Sequence, residues 1–341
     1  MTAYLRNYWY LAAWSHEIGD KPLARTFFDR PAVLFRTEAG KVAMLDDLCP
    51  HRFAALHRGR VLGEAIECPY HGLRFSPEGN CVHSPFSGKP PHAQQVRSYP
   101  VVETDGFVWF WYGDPERAAD TPVPDLGEVR QTPTTQLIRL HNHMNADFML
   151  GLDNLLEASH VGFLHRESFS QGTDALAQLF VDGKYHSYEE GGRVYSCWQF
   201  SEVPSDYVQT YWEAPALCVI EKGQDHSIPP RPRRMIGLHL FTPETERSAH
   251  YFAVEAFDPE LDPPGYGEMV AELTQHAFVN EDVATLEIIQ RNMGNVDLLD
   301  SGALLLSIDA GTYRTRRAYR RLLEEQEKRE KAAQTPENAH A

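Results

Sequence analysis

The chain is short of positive charge. Its 341 residues hold 32 Lys and Arg against 48 Asp and Glu, for a formal net charge of −16. That balance argues against nucleic acid or an anionic membrane surface as a partner. Cysteine is scarce too, with five in all. Cys81, Cys197 and Cys218 are scattered and too few for a disulfide framework, so they read as buried, reduced thiols. No apolar run reaches the length of a membrane span, and the most apolar short stretch, Phe107–Tyr112, is strand-sized. The first residues, MTAYLRNYWY, lack the pattern of a secretory signal. A cytoplasmic chain is therefore expected. There is no internal repeat and no Gly-x-Gly-x-x-Gly after a strand, so no nucleotide cofactor is expected to bind here. Apolar residues make up 42% and charged residues 23%, as in ordinary soluble domains, and the length suits two of them.

What the chain does have is a compact set of metal-binding side chains. The stretch CPHRFAALHRGRVLGEAIECPYH contains Cys49, His51, Cys68 and His71, a Cys-x-His pair and a Cys-x-x-His pair sixteen residues apart. Thiolates favour soft sites, and imidazole suits either iron or zinc. A Rieske 2Fe-2S cluster takes two Cys on one iron and two His on the other. A structural zinc site uses the same ligand types, but usually groups Cys with Cys and His with His. Pro50, Pro69 and Gly72 suggest two facing loops that clasp a cluster.

Residues 1 to about 115 read as short strands and turns. Pro31–Arg36 and Lys41–Leu45 flank a hairpin signal, and Ser76–Asn80 is a second turn. Pro115, Pro122 and Pro124 mark a linker. Residues 116–341 mix strands with helices. Strands are expected near Ile138–Met144, Val194–Phe200, Tyr207–Glu213, Leu217–Glu221, Arg234–Phe241 and His250–Phe257, with long helices over Gly265–Met293 and Tyr313–Lys331 and a frayed tail after about 331. The fold class expected is α+β, an all-β domain followed by an antiparallel sheet with helices packed on one face. Arg314, Arg316, Arg317, Arg320 and Arg321 could dock an acidic partner, but such residues more often form ion pairs within the chain.

A second metal motif lies in DNLLEASHVGFLH. On a regular helix His160 and His165 would point about 140° apart. They can share a metal only if the helix breaks between them, and Gly162 would permit that. Asn154, Glu157 and His160 stay near one face. Two imidazoles and a carboxylate make the facial triad of non-haem Fe(II) oxygenases.

Together these motifs resemble the Rieske non-haem iron oxygenases that act on aromatic compounds, and their order and spacing most resemble the vanillate O-demethylase and dicamba monooxygenase group. The likeness runs from Asn7-Tyr8-Trp9-Tyr10 through His239-Leu240-Phe241-Thr242-Pro243-Glu244-Thr245 to the late helix. It implies a Rieske domain over 1–115 and a helix-grip catalytic domain over 116–341. It implies a 2Fe-2S cluster on Cys49, His51, Cys68 and His71, and a mononuclear Fe(II) on His160, His165 and Asp282, with Glu281 the neighbour most easily mistaken for the ligand. It gives Glu157, where most of the family has Asp, the role of a carboxylate bridge between imidazoles of two subunits in a homotrimer. Asn154 stands at the start of the same motif. NAD(P)H would be used by a separate reductase or ferredoxin chain. The substrates implied are O2 and a small aromatic, undergoing O-demethylation or hydroxylation. Ring cis-dihydroxylation and methyl hydroxylation use the same iron site and stay open. An electron-transfer Rieske protein would not need the second domain. His239, Phe241, Leu217 and Val219 are expected to line the substrate pocket from the strands.

Overall fold

The computed structural model describes residues 4–86, 95–127, 129, 137–223, 235–256 and 265–334. The chain divides into two compact units, one of residues 6–125 and one of residues 126–341 with the first five residues. The division falls at the far end of the proline-bearing segment read as the linker, rather than at 115. The proline-rich segment is tied into the first unit, where Trp9 Nε1 donates to the Thr121 carbonyl at 2.8 Å.

The first unit is built from β1 (Tyr8–Trp14), β2 (Leu23–Phe27), β3 (Arg30–Arg36), β4 (Val42–Asp46), β5 (Arg60–Leu62), β6 (Ala65–Glu67), β7 (Arg74–Phe75), β8 (Cys81–His83), β9 (Ser98–Tyr99), β10 (Val101–Thr104) and β11 (Phe107–Tyr112). They form three antiparallel sheets of order β1-β11-β10, β2-β3-β4-β9 and β5-β6-β7-β8. The run FVWFWY of β11 is almost wholly buried between β1 and β10, which accounts for its lack of alternation. Val33, Phe35, Leu45, Leu56, Ile66 and Phe75 form a core that also takes in Cys49 and Cys68.

In the second unit one seven-stranded antiparallel sheet runs in the order β12-β18-β17-β16-β15-β14-β13. Its strands are β12 (Leu137–Met144), β13 (Lys184–Glu190), β14 (Arg193–Gln199), β15 (Tyr207–Glu213), β16 (Leu217–Lys222), β17 (Met235–Thr245) and β18 (Ser248–Ala256). The expected strands near these places match, and β13, KYHSYEE, forms a mostly polar edge strand. The expected strand ends Arg234 and Phe257, and Pro263 and Pro264 ahead of the long helix, lie outside the described residues.

The helices are α1 (Phe148–Leu156), α2 (Val161–Leu164), α3 (Arg166–Ser170), α4 (Ala175–Asp182), α5 (Tyr266–His276), α6 (Ala284–Met293) and α7 (Ala310–Gln334). Between α5 and α6 the chain is a π-helix, Ala277–Val283. The final helix runs past the expected end at 331. The arginine cluster on α7 makes ion pairs within the chain. Arg316 binds Asp153 and Asp297, Arg320 binds Asp297 and Asp300, and Arg321 binds Glu189.

Strand register fixes which side chains meet the helices. Asn142 of β12 exchanges hydrogen bonds with Gln275 of α5. Tyr251, its partner across the ladder, stacks on Phe278 of the π-helix with centroids 3.7 Å apart. Phe241 pairs with Tyr251 and packs on Gly151 of α1, where a methyl group would stand 2.3 Å from the Phe241 ring. His239, Phe241 and Tyr251 therefore share the helix-covered face. Leu217 and Val219 do not. Cys218 stands opposite His239 in the ladder, so its two neighbours point to the other face. The expectation that they line the pocket is corrected: Cys218 and Ile220 hold those places.

Candidate metal centres

The two cysteine loops are built alike. Cys49 N donates to the Ala54 carbonyl at 2.9 Å, and Phe53 N donates back to the Cys49 carbonyl at 2.7 Å. Cys68 N donates to Leu73 at 2.8 Å, and Gly72 N donates back to Cys68 at 3.0 Å. The residue four past each cysteine has a left-handed backbone, Phe53 at φ 57° and Gly72 at φ 71°. Glycine takes that conformation without strain. The β-domain fixes the loops from below. Arg60 and Arg74 both bind Glu67 just before Cys68, and Asp47 accepts from His57 N at 2.7 Å just before Cys49.

Both thiols are buried while His51 is exposed and His71 half-exposed. Burial, together with the neighbouring Cys68 thiol, pushes Cys49 up to about 11, against hydrogen bonds from the loop backbone. A pair of buried thiols ionises only beside strong positive charge. The two imidazole centroids are 4.6 Å apart, and His71 Nδ1 is buried with no hydrogen-bond partner. An orphaned imidazole nitrogen beside two buried thiols fits a 2Fe-2S cluster held by the inner cysteines and the outer histidines.

In the second unit α1 ends at Leu156, where Glu157 leaves helical geometry at φ −106°, ψ 81°. This break lies ahead of both histidines; between them the chain passes from the tight turn Ala158–His160 into the four-residue α2, with Gly162 inside that helix and not at a break. Gly162 serves a different need, because a methyl group there would lie 2.5 Å from Ala177 Cα in α4. After the break the chain restarts as a tight turn, Ala158–His160, whose free N–H groups are capped by the Glu157 carboxylate. It accepts from Ser159 N at 2.9 Å and from His160 N at 3.3 Å. His160 Nδ1 donates to the Glu157 main-chain carbonyl, not to its carboxylate. The nearer Glu157 carboxylate oxygen lies 3.6 Å from this Nδ1.

His165 sits at the junction of α2 and α3 and donates Nδ1–H to Glu281 at 2.6 Å. Ser168 Oγ donates to the other oxygen of Glu281 at 2.7 Å. Burial opposes the charged imidazole, but Asp282 and Glu281 raise the His165 pKa above its ordinary value. With both Nδ1 atoms engaged, both Nε2 atoms turn inward. His165 Nε2 lies 3.2 Å and His160 Nε2 3.6 Å from Asp282 Oδ1. One donor atom from each of the three residues falls within 4.8 Å of the others. Asn154 Nδ2 reaches both Asp282 Oδ1 at 3.0 Å and His160 Nε2 at 3.2 Å, and its Oδ1 is buried without a partner. Asp282 is offered by the π-helix, a form that recurs at functional sites. Two imidazoles oriented through their far nitrogens and one carboxylate fit a divalent iron and leave further positions open.

Beside this triad His239 Nδ1 meets the Tyr251 hydroxyl at 2.6 Å. Burial, with Lys222 adding to it and Asp282 opposing, lowers the His239 pKa to about 3, so the ring is neutral. The reading of residue types did not single out Tyr251, Phe278 or Ser168. Glycine inside a strand pattern could have drawn attention to Gly237.

Similarity to known proteins agrees with this geometry. The Rieske [2Fe-2S] domain family matches residues 8–100, and the Vanillate O-demethylase oxygenase C-terminal domain family matches residues 144–325. The chain belongs to the Rieske non-haem iron oxygenases, as an oxygenase component. Within that class it is 33% identical to the dicamba O-demethylase oxygenase component of Stenotrophomonas maltophilia, over 94% of this chain and 98% of the relative. It is 32% identical to the chloroacetanilide N-alkylformylase oxygenase component of Rhizorhabdus wittichii, over 92% and 94%. A crystal structure of dicamba monooxygenase bound to 3,6 dichlorosalicylic acid superposes with a TM-score of 0.82 at 30% identity, covering 95% of this chain and 99% of that one. No described helix is long and apolar enough to cross a membrane.

Proposed function

We propose that this chain is the terminal oxygenase for oxidative demethylation of a small methoxylated aromatic, in the cytoplasm, as a homotrimer served by a separate NAD(P)H-dependent reductase or ferredoxin. The observation that carries the reading is the convergence of His160 Nε2, His165 Nε2 and Asp282 Oδ1. The balanced reaction is Ar–O–CH3 + O2 + NAD(P)H + H+ → Ar–OH + HCHO + NAD(P)+ + H2O. Hydroxylation of the methyl carbon gives a hemiacetal that collapses to phenol and formaldehyde. When bound, the cluster supplies electrons singly and the Fe(II) supplies dioxygen activation.

The chain's own residues do the rest. Cys49, Cys68, His51 and His71 would hold the cluster, and His160, His165 and Asp282 the Fe(II). Glu281 and the Glu157 carbonyl fix the two imidazoles with Nδ1 protonated. Asn154 orients Asp282. His239, neutral and held by Tyr251, offers a polar contact above a bed of aromatic rings. An oxygen-uptake screen over methoxylated, methylated and carboxylated aromatics, with trapping of formaldehyde, tests the reading. Uptake with stoichiometric formaldehyde supports demethylation. Uptake yielding only hydroxylated or cis-diol products would replace it.

Glu157 is proposed to couple the two metal centres across the subunit interface. A carboxylate accepts several N–H bonds at once, and here two of its acceptor positions already cap the turn before His160. Glu157→Gln keeps one capping oxygen and removes the charge. Both metal sites should stay filled and cluster reduction should stay normal. Product formed in a single turnover should slow by about 10–100-fold, the usual cost of disturbing such a contact. A wild-type single-turnover rate would remove Glu157 from the electron route. Asp153, the next acid along, is an unpromising substitute because Arg316 already holds it.

A further inference from the structure

The sheet face that carries His239 and Tyr251 continues toward the far ends of β16 and β18. There Gly237 of β17 lies in register between Glu255 of β18 and Ile220 of β16. A methyl group at Gly237 would stand 3.0 Å from His239 Nε2 and 3.8 Å from Glu255 Cγ. The absent side chain therefore leaves a notch with the imidazole edge and the Glu255 side chain as its walls. Lys222, on the same face at the exposed end of β16, acts through its charge on both Glu255 and His239. The charge of Asp282 is felt at His239 and at Tyr251. Tyr251, bonded to His239, stacks on Phe278 of the π-helix that carries Asp282, which sets the notch on the face toward the metal triad.

Glu255 is the group in this row without a use. His239 has Tyr251, and Tyr251 has His239 and the Phe278 ring. Burial raises the pKa of the Glu255 carboxyl and the charge of Lys222 lowers it. Among the described residues no donor bonds it. A half-buried acceptor that no protein donor bonds gains from a ligand that brings a donor. A ligand that brings a second carboxylate meets the like charge of Glu255 and no positive charge from the neutral His239, with Lys222 at the exposed end of β16 the cation that opposes that repulsion.

We propose that Glu255 determines substrate choice by accepting a hydrogen bond from the substrate, so that the chain takes aromatics bearing a hydroxyl or amine in preference to aromatic carboxylates. This rests on the oxygenase reading above. The test uses the full-length protein with both metal sites filled and four probes: meta-methoxyphenol, meta-methoxyaniline, methoxybenzene and meta-methoxybenzoate. Dissociation constants are measured anaerobically by calorimetry, with oxygen uptake followed in parallel. The phenol and the aniline should bind about tenfold tighter than methoxybenzene or better. The benzoate should bind more weakly than the phenol. Glu255→Leu should bring the phenol-to-methoxybenzene ratio near one while iron content and methoxybenzene affinity hold. Glu255→Gln, closer in shape, should shift preference toward the benzoate by about tenfold or more and covers the case in which Leu disturbs folding. Tightest binding of the benzoate by the wild type, a preference that survives both substitutions, or binding of no probe would overturn the proposal. Uptake with the benzoate alone, unchanged by the Glu255 variants, removes the role of Glu255 and leaves the oxygenase. Absent iron and absent uptake with every probe removes the oxygenase reading instead.

Discussion

His160→Ala is expected to abolish oxygen chemistry while leaving the protein red-brown. The imidazole is one of three groups that converge on the candidate iron position, and alanine supplies no donor atom. The Asn154 amide, already within 3.2 Å of His160 Nε2, is a neutral oxygen donor at best and replaces an imidazole poorly. Iron should fall from about three atoms per chain to about two, because the cluster's ligands lie in the other unit and are untouched. The visible spectrum of the cluster and its reduction by dithionite should match the wild type. Substrate-dependent oxygen uptake should drop to background. Retention of both the third iron and turnover would show that His160 is not a ligand.

The largest effect on stability is expected at Arg316→Met. Arg316 is 4% exposed, and its guanidinium binds Asp153 through Nε and Nη2 and Asp297 through Nη1 at 2.9 Å. Burial works against its charge, yet Asp153 and Asp297 hold its pKa above the ordinary arginine range. Asp147, which caps the start of α1, already sits in an acid-rich setting; burial pushes its carboxyl up to about 6. Removing this buried cation leaves the buried Asp153 carboxyl unpaired, a situation that costs about 3–5 kcal/mol. For a unit of this size that lowers Tm by roughly 6–20 °C in a thermal scan followed by circular dichroism. The double substitution Arg316→Met with Asp153→Leu should recover most of the loss, since well-packed apolar pairs replace buried ion pairs at little net cost. Equal instability of the single and double variants would mean that the arginine acts by filling space.

The cluster loops were legible because four ligands of two types fall within 23 residues and their spacing is local. His160 and His165 were legible as a pair, but the device that brings them together was not. A turn capped by the side chain of the acid before it is a matter of local geometry, and the bonds Glu157 makes to the turn before His160 are not visible in the sequence. Asp282 could be reached only through resemblance, since nothing local separates it from Glu281. The structure divides their work, giving Glu281 to His165 and Ser168 and leaving Asp282 to face inward. Leu217 and Val219 were misplaced because alternation tells which residues share a face and not which face is covered; a shift of one residue reverses every side chain. The α7 arginines were ambiguous for a similar reason. Their partners Asp153 and Glu189 are far away in sequence and come close only when the sheet and helices pack.

One chain of this family is expected to hold both a Rieske cluster and a mononuclear iron. Iron and acid-labile sulfide analysis of the purified full-length protein, read with the EPR spectrum of the dithionite-reduced sample, tests it most directly. About three irons and about two sulfides per chain are expected, with a Rieske-type signal. About two irons and two sulfides that persist after anaerobic Fe(II) loading would leave only an electron carrier, and a colourless zinc-loaded protein without sulfide would contradict both centres.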